Sequence, residues 1–242
     1  MLRLCLPIFV LAVAAFAQRN ELPGREALTY SVEWRLITAG RASIDWRQDR
    51  DGAEIDLRVE SVGLVSKLFR VQDDYRTRLS PALCTESSQL TSHEGSRQRE
   101  TRIAYDGAAH KAAYLERDIQ RNTVLLQHEI EIPVCVHDVA GGLYVMRTLN
   151  LEPGQSTTVP VTDGKKFALA KVEAQQREDV KTPEGVFHTI RYEVYLFDNV
   201  IYRRPARLNV WLTDDRRKLP VEIRVRMQFT IGTITLLLEK HE

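Results

Sequence analysis

Apolar residues fall on every second position through much of the chain. Leu28, Tyr30, Val32 and Trp34 interleave with Thr29, Ser31 and Glu33, and Ala42, Ile44 and Trp46 with Ser43, Asp45 and Arg47. Ile55, Leu57 and Val59 interleave with Glu54, Asp56, Arg58 and Glu60. A period of two places one set of side chains on each face of a strand, so each run predicts a strand with one apolar and one wet face. Asp51-Gly52 between the second and third runs is a hairpin signal, because both residues accept turn geometry. The pattern returns beyond residue 150. Asp163-Gly164 separates a strand near Ser156 to Val161 from one near Phe167 to Ala174. Thr182-Pro183-Glu184-Gly185 reads as a turn, and Ile190, Tyr192, Val194 and Leu196 alternate after it. Val221, Ile223, Val225, Met227, Phe229 and Ile231 form the clearest run. Its parity changes at Gly232, where a bulge or tight bend is expected.

One segment has a different period. From His137 to Leu149, Val139, Leu143 and Met146 recur at helical spacing, with His137 or Asp138 as the entry and Pro153-Gly154 closing the following loop. Gly141-Gly142 weakens that helix by about 1 kcal/mol per glycine. No linker, repeat or low-complexity tract divides the chain. The expected fold is therefore all-β: a single antiparallel curved sheet, as an open barrel or sandwich, with one short helix.

The first residues stand apart from this pattern. Arg3 precedes an uncharged apolar run from Leu4 to Phe16, and Ala15-Phe16-Ala17 has the small-x-small form of a cleavage site. The run is too short for a spanning helix, which needs about 20 residues. Residues 1–17 read as a signal peptide and 18–242 as one β-rich exported domain, periplasmic or secreted after cleavage near Ala17. With 34 Lys and Arg against 33 Asp and Glu, the charge is near balance. That removes the electrostatic reason to expect nucleic acid as a partner. Aromatic residues make up 7% of the chain, too few for the two girdles of a membrane-spanning barrel, so a spanning role is not expected.

Cys5 leaves with the signal, and Cys84 and Cys135 remain. In an oxidising compartment an even pair predicts a disulfide. Closing a loop of roughly fifty residues is worth about 4 kcal/mol in the chain-entropy view. Two free thiols are the alternative, since a chain of this length can build its core without a staple. The sequence holds no nucleophile elbow, zinc-binding His-Glu-x-x-His, Cys-x-x-Cys, phosphate-binding loop or dinucleotide fingerprint. His93, His110, His128, His137, His188 and His241 share no metal-ligand spacing, so neither metal nor cofactor is expected. Asp214-Asp215 are the best candidates for acid/base work or cation binding. Followed by Arg216-Arg217-Lys218, they read more simply as a charged turn.

Four short pieces in fixed order carry a family resemblance. They are Leu28 to Trp34 followed by Ala39-Gly40; Asp138 followed by Leu143-Tyr144 and Arg147; Thr182-Pro-Glu-Gly185; and Val210-Trp-Leu-Thr-Asp-Asp215 followed by Leu219-Pro220-Val221. In that order the chain resembles an exported bacterial family known as domain of unknown function 3108, over about residues 25 to 240. Thr213 stands where that pattern leads one to expect Ser. The resemblance implies an envelope location and a β-rich fold, and supplies no activity or catalytic residues.

The function expected from these features is binding without turnover. A curved antiparallel sheet has an apolar concave face, which suits a lipid or other apolar ligand, or a segment of an envelope protein. Its candidate lining is the set Trp34, Trp46, Tyr192, Trp211 and Phe229, although aromatic residues pack against one another more often than against ligands. The alternative is a hydrolase or cation-dependent enzyme using Asp214 and Asp215.

Overall fold

A computed structural model describes residues 22–35, 37–227 and 232–242. The expected signal segment, and Phe229 with it, lie outside the described residues. The described strands run β1 (Arg25–Trp34), β2 (Ile37–Asp49), β3 (Gly52–Ser61), β4 (Val71–Leu79), β5 (Thr85–Glu94), β6 (Arg97–Asp106), β7 (Lys111–Asp118) and β8 (Thr123–Glu131). They continue with β9 (Ser156–Thr162), β10 (Phe167–Lys181), β11 (Val186–Val194), β12 (Ala206–Thr213), β13 (Pro220–Met227) and β14 (Thr233–His241). Every strand pairs antiparallel in one open sheet, in the order β8-β7-β6-β5-β4-β3-β2-β1-β14-β13-β12-β11-β10-β9. Two meanders, β1–β8 and β9–β14, thus meet at mid-sheet through β1 and β14.

The predicted architecture is the observed one, with one helix more than expected. A second helix, α1 (Gly63–Leu68), joins β3 to β4. At Gly232 the parity change marks a full reversal of direction. β13 ends at Met227, β14 begins at Thr233, and the Met227 N–H donates to the Gly232 carbonyl at 3.0 Å. Gly232 has φ +80°, a left-handed conformation that glycine adopts without a Cβ penalty. Of the two expected alternatives, bulge or tight bend, the bend is the one observed, with β14 pairing back on β13.

The helix expected between the two blocks is α2 (Val139–Arg147), and it lies against one face of the sheet. Asp138 caps it, its Oδ1 accepting from Gly141 N–H at 2.7 Å. Gly141 is a helix-weakening residue with a packing reason. A Cβ there would lie 3.0 Å from Leu79 Cδ2 and 3.2 Å from Thr85 Oγ1, so glycine lets the first turn approach β4 and β5. Along α2, Tyr144 packs into a cluster with Leu28, Tyr30, Trp46, Ile55 and Leu79, while Met146 joins Val159, Val172, Ile190 and Tyr192. One short helix thereby bridges the two meanders, and the sheet curves around it.

The roll of the sheet ends without a closing ladder. Phe167 packs against the cluster of Ile103 and Tyr114, and Lys165 Nζ lies 4.8 Å from the centre of the Tyr114 ring. The β9–β10 hairpin therefore rests on the inner face of β6 and β7. β9 is covered further by a parallel bridge between His137 and Val161, and Pro160 within it cannot donate to a further ladder.

Candidate binding face

Register shows which residues share the face that α2 covers. Trp46 opposes Ile55, Ile55 opposes Thr77, and Thr77 opposes Ser88. Across the mid-sheet seam Tyr30 opposes Leu238, and further on Ile223 opposes Val210, which opposes Tyr192. This concave face has two ends of different character.

At the α2 end the side chains are closed off. Trp46 stacks on Tyr144 with ring centroids 4.2 Å apart, and its indole N–H donates to the Pro23 carbonyl at 2.6 Å. Arg147, fully buried, grips Glu26 with two hydrogen bonds of 2.5 and 2.8 Å and donates to the Arg217 carbonyl at 3.1 Å. Its guanidinium lies 4.9 Å from the centre of the Tyr144 ring. A charge this deep is tolerable only when paired and hydrogen-bonded, and this one is both. Asp138 is equally buried. Burial pushes its carboxyl above the usual range, against hydrogen bonds from Thr77, Tyr75 and Gly141 that favour the carboxylate. Next to it, His137 Nδ1 lies 2.9 Å from the Leu83 carbonyl, and burial lowers the imidazole below its ordinary value. Cys84 and Cys135 are joined by a disulfide, Cα atoms 5.0 Å apart. The bond ties the β4–β5 turn to the segment entering α2.

At the other end the same face is open. Val32, Leu57, Val59, Leu208, Val225 and Leu236 continue the inward alternation, and each is only half-buried. Val32, Leu57, Val59 and Leu236 border the sealed cluster and Leu208 the second one, but none of them is fully covered.

The expected aromatic set does not form one wall. Trp46 and Tyr192 are buried on the concave face, the first committed to Tyr144. Trp34 is half-buried at the open end, opposite Ile234. Trp211 opposes Arg191, whereas Tyr192 opposes Val210, so Trp211 lies on the far face of the sheet. There its N–H donates to Glu178 at 2.8 Å and Arg224 lies over its ring at 4.8 Å. On β12 Ala206, Leu208, Val210 and Leu212 alternate with Arg207, Asn209, Trp211 and Thr213, so Trp211 is the one apolar side chain on the otherwise polar face, buried there in the cluster that holds Val180, Leu219 and Val221.

Asp214 and Asp215 sit in the β12–β13 turn and are engaged there. Asp214 pairs with Arg177 at 2.7 Å. Asp215 accepts from the Thr213 hydroxyl at 2.7 Å and from Arg217 at 2.8 Å. Burial would raise its carboxyl, but the hydroxyl and the guanidinium hold it below the usual carboxylate value. Among the described residues no three His, Cys, Asp or Glu side chains converge as metal ligands. Two open depressions occur elsewhere, one of about 470 Å³ beside Arg76 and Arg102 and one of about 610 Å³ along Leu115, Gln127 and Glu129. Neither collects groups arranged for chemistry. No described helix is long and apolar enough to cross a membrane.

An open, rolled antiparallel sheet of this kind defines a β-barrel-like fold. The chain is similar over 92% of its length, and 98% of the other's, to a β-barrel-like protein of domain of unknown function DUF1849 from Brucella abortus, with 8% identity and a TM-score of 0.58. A protein described as exported, with a YmcC-like fold, from Bacteroides fragilis aligns over 93% of this chain and 98% of its own at 10% identity, with a TM-score of 0.39. A DUF1089 family protein from Pseudomonas aeruginosa aligns over 78% and 90% at 13% identity, with a TM-score of 0.41. No curated protein matches the sequence. The family model of DUF3108, proteins of unknown function, matches residues 29–239, and the chain belongs to that family.

The pieces that carried the resemblance prove to be structural. Asp138 caps α2, Tyr144 stacks on Trp46, Arg147 grips Glu26, and Thr182 and Gly185 exchange the hydrogen bonds of a tight turn. Sequence reasoning missed β4 to β8 as strands, and it missed α1. The only signal for α1 was an acid-free run, Gly63-Leu-Val-Ser-Lys-Leu-Phe-Arg70, after an alternating segment.

Proposed function

We propose that this protein is an exported binding protein without turnover chemistry, holding an apolar molecule such as a lipid chain against the open end of its concave face. Export is supported by Arg3, the apolar run and Ala15-Phe16-Ala17. The observation that carries the ligand reading is the burial gradient on one face. Apolar residues that are sealed under α2 continue on the same strands into a half-buried strip. A strip of that kind on a concave surface is suited to an apolar chain, which needs area and few directed contacts.

Native mass spectrometry of protein purified from the periplasm without detergent tests the reading. A mass excess that organic extraction identifies as a lipid is the expected result. Leu57→Glu or Val225→Glu should abolish it, since a charge would then face the strip. Apo protein that also fails to take up a fluorescent fatty acid would overturn the proposal. An envelope-protein segment on the same strip would appear instead as a stoichiometric polypeptide in the native spectrum.

A further inference from the structure

The β3–β4 connection displays apolar side chains that packing does not explain. α1 buries none of its residues. Leu64 is 66% exposed, Leu68 79% and the following Phe69 53%. Ile37, at the start of β2, is 48% exposed, and a Val62 N–H to Ala39 carbonyl bond of 2.9 Å seats α1 beside that strand. The Phe69 ring lies against Gly95 of the β5–β6 hairpin, where a Cβ would come within 2.9 Å of it. These four side chains share one end of the sheet, the end where the concave face is open. Isolated exposed apolar residues are ordinary on a soluble surface; a projecting group of four marks an interaction.

The surrounding charges identify what it meets. From Ser61 through Val71 there is no acidic residue, and Lys67 and Arg70 flank the apolar tips. Arg35 and Arg97 are exposed on the two neighbouring hairpins, and the acidic residues nearby, Glu33, Glu60 and Glu94, sit back on the strand ends. Protein interfaces are depleted of Lys around their apolar centres. Apolar side chains ringed by long basic ones fit the boundary of a bilayer, where the tips enter the acyl region and the cationic heads reach lipid phosphates. We infer that α1, with Ile37 and Phe69, is a docking element that seats the protein on an anionic lipid surface. This holds whether or not the concave face carries an apolar molecule.

The test uses the chain from Gln18 onward, so that the apolar leader does not bind vesicles by itself. Vesicles of phosphatidylethanolamine with phosphatidylglycerol should sediment the protein, and vesicles of phosphatidylcholine should do so far less. Lys67→Glu and Arg70→Glu should each weaken binding about fivefold at low salt. Leu64→Ser, Leu68→Ser and Phe69→Ser together should weaken it tenfold or more, with an unchanged melting curve because all three are exposed. Bimane attached to Leu68→Cys should shift its emission to the blue when anionic vesicles are added. Wild-type protein that stays in the supernatant, a triple variant that binds like wild type, or a silent bimane on vesicle-bound protein would each overturn the inference. A partner protein on α1 would show as the first of these. Vesicle binding is read separately from the native mass spectrum, so either idea can fail while the other stands.

Discussion

The two ends of the concave face are built from the same strands and the same kinds of residue, yet they differ in what covers them. On β3, Ile55 is sealed at 1% exposure while Val59, four positions on and facing the same way, is half-buried. On β12 the same holds for Leu212 and Leu208. The difference is α2, which brings Tyr144, Met146 and the Arg147–Glu26 pair to one end only. Alternation along a strand therefore tells which way a side chain points and leaves open whether anything stands across from it.

The largest effect should come from the charge buried under α2. Arg147→Ala strands Glu26 in a nearly dry site, and a loss of about 3–5 kcal/mol is expected in urea melts. Replacing both partners, as Arg147→Met with Glu26→Leu, should recover most of that. A single variant as stable as wild type would mean that the covered end is not sealed as described. Removing the disulfide with Cys84→Ser and Cys135→Ser should cost about 2–4 kcal/mol, because it frees the segment that delivers α2. The sharpest comparison lies within one strand. Ile55→Ala should cost about 2–4 kcal/mol and Val59→Ala under about 1 kcal/mol, since only the first opens a cavity. Equal losses would erase the distinction between the ends.

A pH titration should show a smaller contribution, again from the covered end. His137 is held below its ordinary imidazole value, so the folded state binds fewer protons than the unfolded chain at mildly acidic pH. Its contribution to stability is present above the ordinary value of 6.5 and is lost as pH falls from there through the lowered value. His137→Asn should flatten that part of the stability profile. The smallest effect belongs to the turn. Asp214→Asn with Asp215→Asn removes partly exposed ion pairs and should change stability by about 1 kcal/mol or less, while leaving ligand binding intact.

Much of this fold was legible because strands with one apolar face announce themselves, as β1 to β3 and β9 to β13 do. β4 to β8 were silent for a physical reason. Their inward positions include Asp73, Thr77, Ser88, Ser92 and Thr101, so polar residues occupy both faces and no period stands out. Asp138 could be read as a helix entry, but its bonds to Tyr75 and Thr77 join residues some sixty positions apart, beyond any local pattern. The Arg147–Glu26 pair spans twice that separation. α1 fell below the length at which a helical period can be recognised. The candidate face was thus foreseeable as a face, and the alternation of β12 already sets Trp211 with Arg207 and Asn209, while the cover of that face and its open end depended on the long-range pairing.

The meeting of β1 and β14 at mid-sheet has a consequence in time. The first and last described strands lie side by side, Tyr30 against Leu238 and the Ala27 N–H bonded to the Glu242 carbonyl at 2.9 Å. A chain that emerges amino end first, whether from a ribosome or through a translocation pore, can form its hairpins one by one. It cannot join its two halves until its last strand has arrived. Until then β1 and β13 both stand as bare edges, open to strands of other molecules. Contacts of such high sequence separation slow folding, and the interval is when a holding chaperone would matter most.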